Sequence, residues 1–187
     1  MSNNNTLEES PKNDIYSENQ KKNKKNEILT NDNYFDYLSI KISSILMEII
    51  YQNTLKNDYN LKFKNQKKSI FTSKFPPKIS LSDFIRRIIK YSKISKSILV
   101  CALIYIDRIC KYKQYILTHY NTHRLYFTAI LLAIKFHEDH FKSNKFYSKI
   151  CGIKLKDLNL MEYNFTIDIS FNLYINNSLF KNYYENL

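Results

Sequence analysis

Apolar residues recur every three or four positions in several stretches of the chain, a spacing that predicts amphipathic helices. The first stretch covers residues 33–55, and its repeating residues are Phe35, Leu38, Ile42, Ile45, Leu46, Ile49 and Ile50. Residues 1–32 show no such pattern, since they are polar, rich in Asn and Lys, and hold few apolar side chains. They cannot bury enough surface to offset the entropy lost on ordering, so we expect a disordered N-terminal tail.

A basic connector, residues 56–76, separates the first predicted helix from the rest of the chain. Pro76 and Pro77 close it, and a helix does not continue through two prolines. A connection of about 20 residues is long for the interior of a compact domain. We therefore expect a separate domain to begin at Pro77.

Five helices are predicted between residues 77 and 170. Ser80 or Ser82 is a suitable N-cap for the first, and its apolar side consists of Leu81, Phe84, Ile85, Ile88 and Ile89. The second covers about 98–110 and opens with nine consecutive apolar residues, Ile98 to Ile106. A helix that is apolar all round belongs at the centre of a bundle, although a buried strand would have the same composition.

The remaining three helices follow the same spacing. The third begins at Asn121 or Thr122 and is also largely apolar. The fourth covers about 145–151 and stops at Gly152, because glycine readily takes the left-handed conformation that ends a helix. The fifth covers about 154–165.

The chain contains a single glycine, and this scarcity excludes several fold classes. Sheet-rich folds need many tight turns, which favour glycine, and phosphate-binding loops need several glycines within a few residues. Rossmann, P-loop and protein-kinase folds are therefore excluded. We predict an all-α protein: a five-helix bundle over 77–170 with an extra N-terminal helix and, within a C-terminal extension 171–187, a short helix near 177–186.

The net charge is +12, but 25 of the 29 basic residues are Lys. The coding bias of an A+T-rich genome would produce the same excess of Lys, Asn and Ile, so part of this charge carries no functional information. The longest apolar run, nine residues, is too short to cross a membrane, for which about 20 are needed. Cys101, Cys110 and Cys151 show no C-x-x-C spacing, which favours a reduced intracellular protein.

No arrangement of residues predicts catalysis. The sequence HEDH, residues 137–140, offers two His and two carboxylates, but its spacing differs from the H-E-x-x-H of zinc proteases. His119 and His123 are four residues apart, and the predicted helix start lies between them. We interpret these residues as polar helix ends and expect no enzyme activity, no metal and no cofactor.

Charged residues inside apolar stretches are more informative. Asp107 follows the nine-residue apolar run, where an unpaired carboxylate would be costly to bury, and Arg86 and Arg87 on the preceding helix are its natural partners. Lys135 lies in AILLAIKF and Glu162 in LNLMEYNF. Both are explained either as solvent-exposed helix edges or as charges on an apolar surface that binds a second protein.

Five segments occur in the order and spacing of the cyclin box, and within that family the chain most resembles the P-type and U-type branch. The segments are PKISLSDFIRRIIKY (77–91), IYIDR (104–108), NTHRLYFTAILLAIKFHED (121–139), FYSKICGI (146–153) and LNLMEYNF (158–165). The resemblance covers about residues 77–170 and implies a single cyclin box.

The resemblance also implies roles for four charged residues. In cyclins an Arg of the first box helix and an Asp of the second form a buried ion pair, which corresponds here to Arg87 and Asp107. A Lys at the end of the third helix and a Glu in the fifth contact the kinase near its C-helix, which corresponds to Lys135 and Glu162. By this resemblance the chain is a non-catalytic regulatory subunit of a cyclin-dependent protein kinase, located in the nucleus or the cytoplasm, that controls cell-cycle or nutrient-linked kinase activity.

An alternative is a basic helical module that binds nucleic acid in transcription, since the net charge and the Lys-rich connector favour contacts with phosphate. Proteins that read base sequence rely on Arg, however, and all four Arg lie within the predicted box. We therefore expect a kinase partner, no membrane association and no specific nucleic acid.

Overall fold

The computed structural model describes residues 12–56 and 69–187, with side chains from residue 33 onward. All regular structure in these ranges is helical. The helices are α1 (Lys12–Thr54), α2 (Leu81–Ser92), α3 (Lys96–Lys113), α4 (Thr122–His137), α5 (Asn144–Cys151), α6 (Leu155–Asp168) and α7 (Asn177–Asn186). The predicted all-α fold is confirmed: α2 to α6 are the five box helices, α1 is the extra N-terminal helix, and α7 is the short C-terminal one.

Helix α1 begins at Lys12 and therefore covers much of the segment that the sequence predicted to be a disordered tail. Residues 1–11 lie outside the described residues. Lys and Glu are good helix formers even without an apolar stripe, so a polar segment of this composition can be helical. The chain divides into two units, 1–37 and 38–187. In the second unit the buried side of α1 is made of Leu38, Ile42, Leu46 and Ile50.

Helices α3 and α4 form the centre of the bundle. α3 buries the apolar run at its start except for Leu103, and α4 buries every residue from Leu125 to Ile134. These two helices pack on each other, α6 packs on α4, and α5 lies against both α2 and α6. The all-round apolar segment is thus a central helix and not a buried strand. No helix within the described ranges is long and apolar enough to cross a membrane.

Local sequence signals determine two helix ends of the box. Ser80 caps α2, because its hydroxyl accepts a hydrogen bond from the backbone N–H of Asp83 at 3.1 Å. Gly152 ends α5 with φ at 68°, in the left-handed region where glycine is favoured. The sequence indicated Ser80 or Ser82 for the cap and Gly152 for the stop, and the structure selects Ser80.

The end of the basic connector is part of the packed domain. Residues 57–68 lie outside the described residues, but Phe71 is fully buried. Its ring lies 5.8 Å from that of Tyr115 and 5.9 Å from that of Phe165, centroid to centroid. Packing therefore starts before Pro77, the boundary predicted from the sequence.

The C-terminal extension is attached to α3 through three consecutive carbonyl groups. Arg108 donates from Nη1 to the carbonyl of Asn172 at 2.6 Å and from Nη2 to that of Tyr174 at 2.8 Å. Tyr105 donates to the carbonyl of Leu173 at 2.7 Å. Helix α7 then packs along α3.

Candidate protein-binding site

Lys135 lies in the last turn of α4 and Glu162 in the middle of α6, and the packing of these two helices brings the side chains together. The Nζ of Lys135 lies 2.6 Å from Oε1 of Glu162. The side chains are 27% and 19% exposed, so the pair is partly buried and still reaches solvent. The sequence indicated each charge as a separate contact, and the ion pair between them was not predicted.

A third side chain orders this pair. Asn144, the first residue of α5, donates from Nδ2 to Oε2 of Glu162 at 2.7 Å and to Oδ1 of Asn159 at 2.8 Å. Both carboxylate oxygens of Glu162 are thus engaged from within the chain, one by Lys135 and one by Asn144. Sequence reasoning missed Asn144, because Asn is common at helix starts and no local pattern links it to a residue on another helix.

The Lys135–Glu162 pair keeps bonding capacity for a second protein. An ammonium group has three donors, and a carboxylate has about four acceptor sites. The single bond from Lys135 to Glu162 leaves donors available, and each oxygen of Glu162 can accept a further N–H. A partner would meet both charges already in position, so little side-chain entropy would be lost on binding.

Exposed apolar side chains lie on the same two helices as the pair. Phe136 follows Lys135 in α4, and Tyr163 follows Glu162 in α6 with 63% of its surface exposed. Leu155 lies two helical turns before Glu162 on the same side of α6 and is also exposed. Aromatic and aliphatic side chains around a small number of ordered charges are typical of a protein–protein interface.

Arg87 and Asp107 do not form the buried ion pair that the resemblance implied. Both side chains are described, both are exposed, and they make no ion pair with each other. The carboxylate of Asp107 instead accepts a hydrogen bond from the hydroxyl of Tyr183 in α7. Burial and this bond to the carboxylate raise the pKa of the Tyr183 hydroxyl. Arg86, the other candidate partner, pairs with Asp83 at 2.5 Å.

The position of Asp107 within α3 explains why this prediction was wrong. Leu103, Asp107 and Cys110 follow one another at helical spacing on one side of α3, and this side is less buried than the rest. The sequence does not reveal this less buried side, because Leu103 belongs to the apolar run and yet is not fully buried. A cavity of about 320 Å³ opens beside Asp107 between α1, α3 and α7.

Other titratable side chains take part in packing. Nε2 of His137, in the HEDH segment, lies 3.1 Å from the hydroxyl of Tyr105. Burial raises the thiol pKa of Cys101 to about 11, of Cys110 to about 12 and of Cys151 to about 11, so these thiols stay protonated at neutral pH. Among the described residues, no group of three or more His, Cys, Asp or Glu side chains is placed to hold a metal ion.

Comparison with known proteins identifies the family. The family model "Cyclin" matches residues 3–173. Cyclin-U4-3 of Arabidopsis thaliana is 35% identical over 138 residues, which cover 73% of this chain and 63% of that protein. Cyclin-U4-1 of the same plant is 29% identical over 160 residues, which cover 85% of this chain and 78% of that protein. Cyclin-P3-1 of Oryza sativa subsp. japonica is 31% identical over 145 residues, which cover 76% of this chain and 61% of that protein.

The matched region contains all five box helices, and it includes Lys135, Asn144 and Glu162. The chain spans less than two thirds of the length of Cyclin-U4-3 and of Cyclin-P3-1. The family match, the helical bundle and the similarity to plant cyclins agree with one another. The chain belongs to the cyclin family and, within it, to the branch of the U-type and P-type cyclins.

Proposed function

We propose that the chain is an activating subunit of a cyclin-dependent serine/threonine protein kinase, acting in the nucleus or the cytoplasm. Membership of the cyclin family supports a regulatory role, and we propose that this role is non-catalytic. The proposal adds that the partner is such a kinase, that the chain activates it, and that Lys135 and Glu162 contact it. The observation that carries it is the partly buried Lys135–Glu162 pair, which joins α4 and α6, two helices that also carry exposed apolar side chains.

Activation of such a kinase depends on its C-helix. A Glu of this helix must pair with a Lys of the kinase before the phosphates and Mg²⁺ of the nucleotide are correctly placed. A regulatory subunit favours this arrangement only if it binds it more tightly than the inactive one. A shift of the population from 1:99 to 99:1 requires a difference of about 5.5 kcal/mol in binding free energy.

The cyclin box supports this role because its surface is formed before binding. The helices that carry Lys135 and Glu162 pack together over fully buried side chains, including Leu131, Leu158 and Phe165. The charges and the apolar groups beside them are therefore held in place without the kinase. A charge pair that is already joined is also less costly to desolvate than two separate ions.

The alternative function, nucleic-acid binding, has less support. Arg86 is paired with Asp83, and Arg108 is bound to carbonyl groups of the C-terminal extension. Arg124 donates to the carbonyl of Ile70 at 2.9 Å. Three of the four guanidinium groups are thus bound to other groups of the same chain. Most of the Lys-rich connector lies outside the described residues.

The test is purification of the tagged full chain from native lysate at about 0.15 M salt, where exposed charges are screened beyond about 8 Å. We expect a cyclin-dependent kinase to copurify and to phosphorylate substrate faster with the chain than without it. Mass spectrometry identifies the kinase, and a reconstituted assay measures the activation. The proposal fails if no such kinase is enriched or if the enriched kinase is not activated. Sequence-selective DNA binding at this salt concentration would support the alternative.

A further inference from the structure

Helix α1 has a second apolar side, which the described residues of its own domain leave uncovered. Ile40, Met47 and Tyr51 are 52%, 40% and 57% exposed. Together with Ser44, which is also exposed, they are spaced by four, three and four residues. This is the a and d spacing of a heptad repeat, the pattern by which one helix pairs with another. We name Ile40, Ser44, Met47 and Tyr51 the outer stripe.

Two charges beside the outer stripe indicate the partner and its orientation. Lys41 and Glu48 are one heptad apart and both lie at e positions, on the same edge of the stripe. In an antiparallel helix pair the e positions of the two helices face each other. Two copies of α1 would therefore bring Lys41 of each copy to Glu48 of the other, and charge pairs at such positions determine partner choice and orientation.

The apolar layers match in the same register. With the helices antiparallel, Ile40 of one copy lies opposite Tyr51 of the other, and Ser44 lies opposite Met47. The centre of the layers and that of the charge pairs thus lie within one residue of each other, about 1.5 Å along the helix. A single two-fold axis satisfies both sets of contacts, which is the condition for a self-complementary interface between identical chains.

A parallel arrangement has no comparable support. It would bring g positions of one helix to e positions of the other. The g positions on α1 are Ser43 and Ile50, which are buried against the domain and carry no charge. The charged edge is therefore matched only when the two helices run in opposite directions.

We propose that the outer stripe is an interface between two copies of this chain, which pair through antiparallel α1 helices. This inference goes beyond kinase activation and does not depend on Lys135 or Glu162. From Ile40 to Tyr51 the stripe is about 16 Å long, at 1.5 Å per residue. It is short for a standard interface, so we expect a weak dimer, with a Kd on the order of 10–100 µM.

Sedimentation equilibrium of the full chain from about 1 to 300 µM, a range that brackets this Kd, tests the proposal. We expect a monomer–dimer equilibrium. Lys41→Glu or Glu48→Lys alone places like charges in both contacts and should weaken the dimer about tenfold. Lys41→Glu combined with Glu48→Lys should restore it. An equimolar mixture of the two single variants should form a mixed dimer, because every contact then joins opposite charges.

This restoration distinguishes a contact between copies from an effect within one helix. Lys41 and Glu48 are about 10 Å apart along α1, too far for a direct bond within one copy. The matched controls are Lys181→Glu and Glu185→Lys, which make the same charge changes on the exposed surface of α7 and should not alter dimerisation. Ile40→Ser with Met47→Ser should abolish it, and thermal melts should show that the fold is kept.

Several results would overturn the proposal. The proposal is wrong if the wild-type chain stays monomeric over the whole concentration range. It is also wrong if the double charge variant dimerises as weakly as the single variants. Equal weakening by the α7 controls would show a general charge effect in place of a contact at α1. If the variants of α1 lose kinase binding but sediment like the wild-type chain, the outer stripe is a contact with the kinase and not with a second copy.

Discussion

The Nζ of Lys135 lies 2.6 Å from Oε1 of Glu162, so the two charges at the centre of the candidate interface are one bonded unit. Each side chain holds the other in position. Removal of either one alone would leave a partly buried charge without its partner, and that cost would be mixed with the loss of any contact with a kinase. The two residues are therefore informative when they are replaced together.

Lys135→Ala combined with Glu162→Ala should abolish kinase activation and leave the fold intact. The pair is partly solvated, so its joint removal should lower the free energy of unfolding by about 1 kcal/mol or less. A reconstituted kinase assay and a urea denaturation series measure the two effects. The control is Lys181→Ala with Glu185→Ala, which removes a Lys–Glu pair of 3.7 Å from α7 and should leave activation unchanged. Normal activation by the folded double variant would contradict the assignment of the site.

Asn144→Ala should weaken kinase association although it removes no charge. Oε2 of Glu162 then loses its hydrogen bond, and the carboxylate is less well ordered for the partner. A loss of about 1 kcal/mol, or roughly fivefold in Kd, is expected. Asn159→Ala removes only the other hydrogen bond of Asn144 and serves as the control. Calorimetric titration with the kinase compares the two variants. An equal loss of kinase affinity in both would contradict a role of Asn144 in the site.

Asp107→Ala should be mild. Its carboxylate is exposed and accepts a hydrogen bond from the neutral hydroxyl of Tyr183, so about 1 kcal/mol or less should be lost. A buried ion pair with Arg87 would instead cost about 3–5 kcal/mol when broken. Tyr183→Phe removes the same bond from the other side, and a double-mutant cycle by urea denaturation should give a small coupling energy. A loss of about 3–5 kcal/mol in the free energy of unfolding of Asp107→Ala would instead indicate the buried ion pair with Arg87.

Acidification from about pH 7.5 to 5.5 should destabilise the domain through His123, whose usual pKa of about 6.5 lies in this window. Burial lowers the pKa of His123. Its Nε2–H donates to the carbonyl of Ile79 at 3.1 Å, and its Nδ1 is buried with no hydrogen-bond partner among the described residues. The unfolded chain therefore binds a proton that the folded chain does not, and stability falls as the pH falls.

Urea denaturation of variants at several pH values measures this dependence. His123→Gln should flatten it, whereas His140→Gln, on the exposed segment after α4, should not. The pKa of His137 is also lowered by burial and contributes in the same direction. Glu138 and Asp168, whose carboxyl pKa values are raised by burial, act in the opposite direction at lower pH. An unchanged pH dependence in His123→Gln would show that this histidine is not responsible.

The sequence by itself determined the helices, their order and the family. Apolar spacing, a serine cap at Ser80 and a helix stop at Gly152 are local signals, because a helix end depends on residues within a few positions of it. The order and spacing of the box segments pointed to Lys135 and Glu162 as candidate contacts. The start of α1 was predicted at residue 33 and lies at Lys12, since a polar segment can be helical without an apolar side that marks it.

Only the tertiary structure decided what the charged side chains contact. Lys135, Asn144 and Glu162 come from three different helices, and no local pattern encodes the packing that joins them. Asp107 follows a buried run but lies on the side of α3 that faces Tyr183 of α7. Spacing along a chain reveals which residues share a side of a helix. Whether that side is covered, and by which element, depends on contacts between residues far apart in sequence.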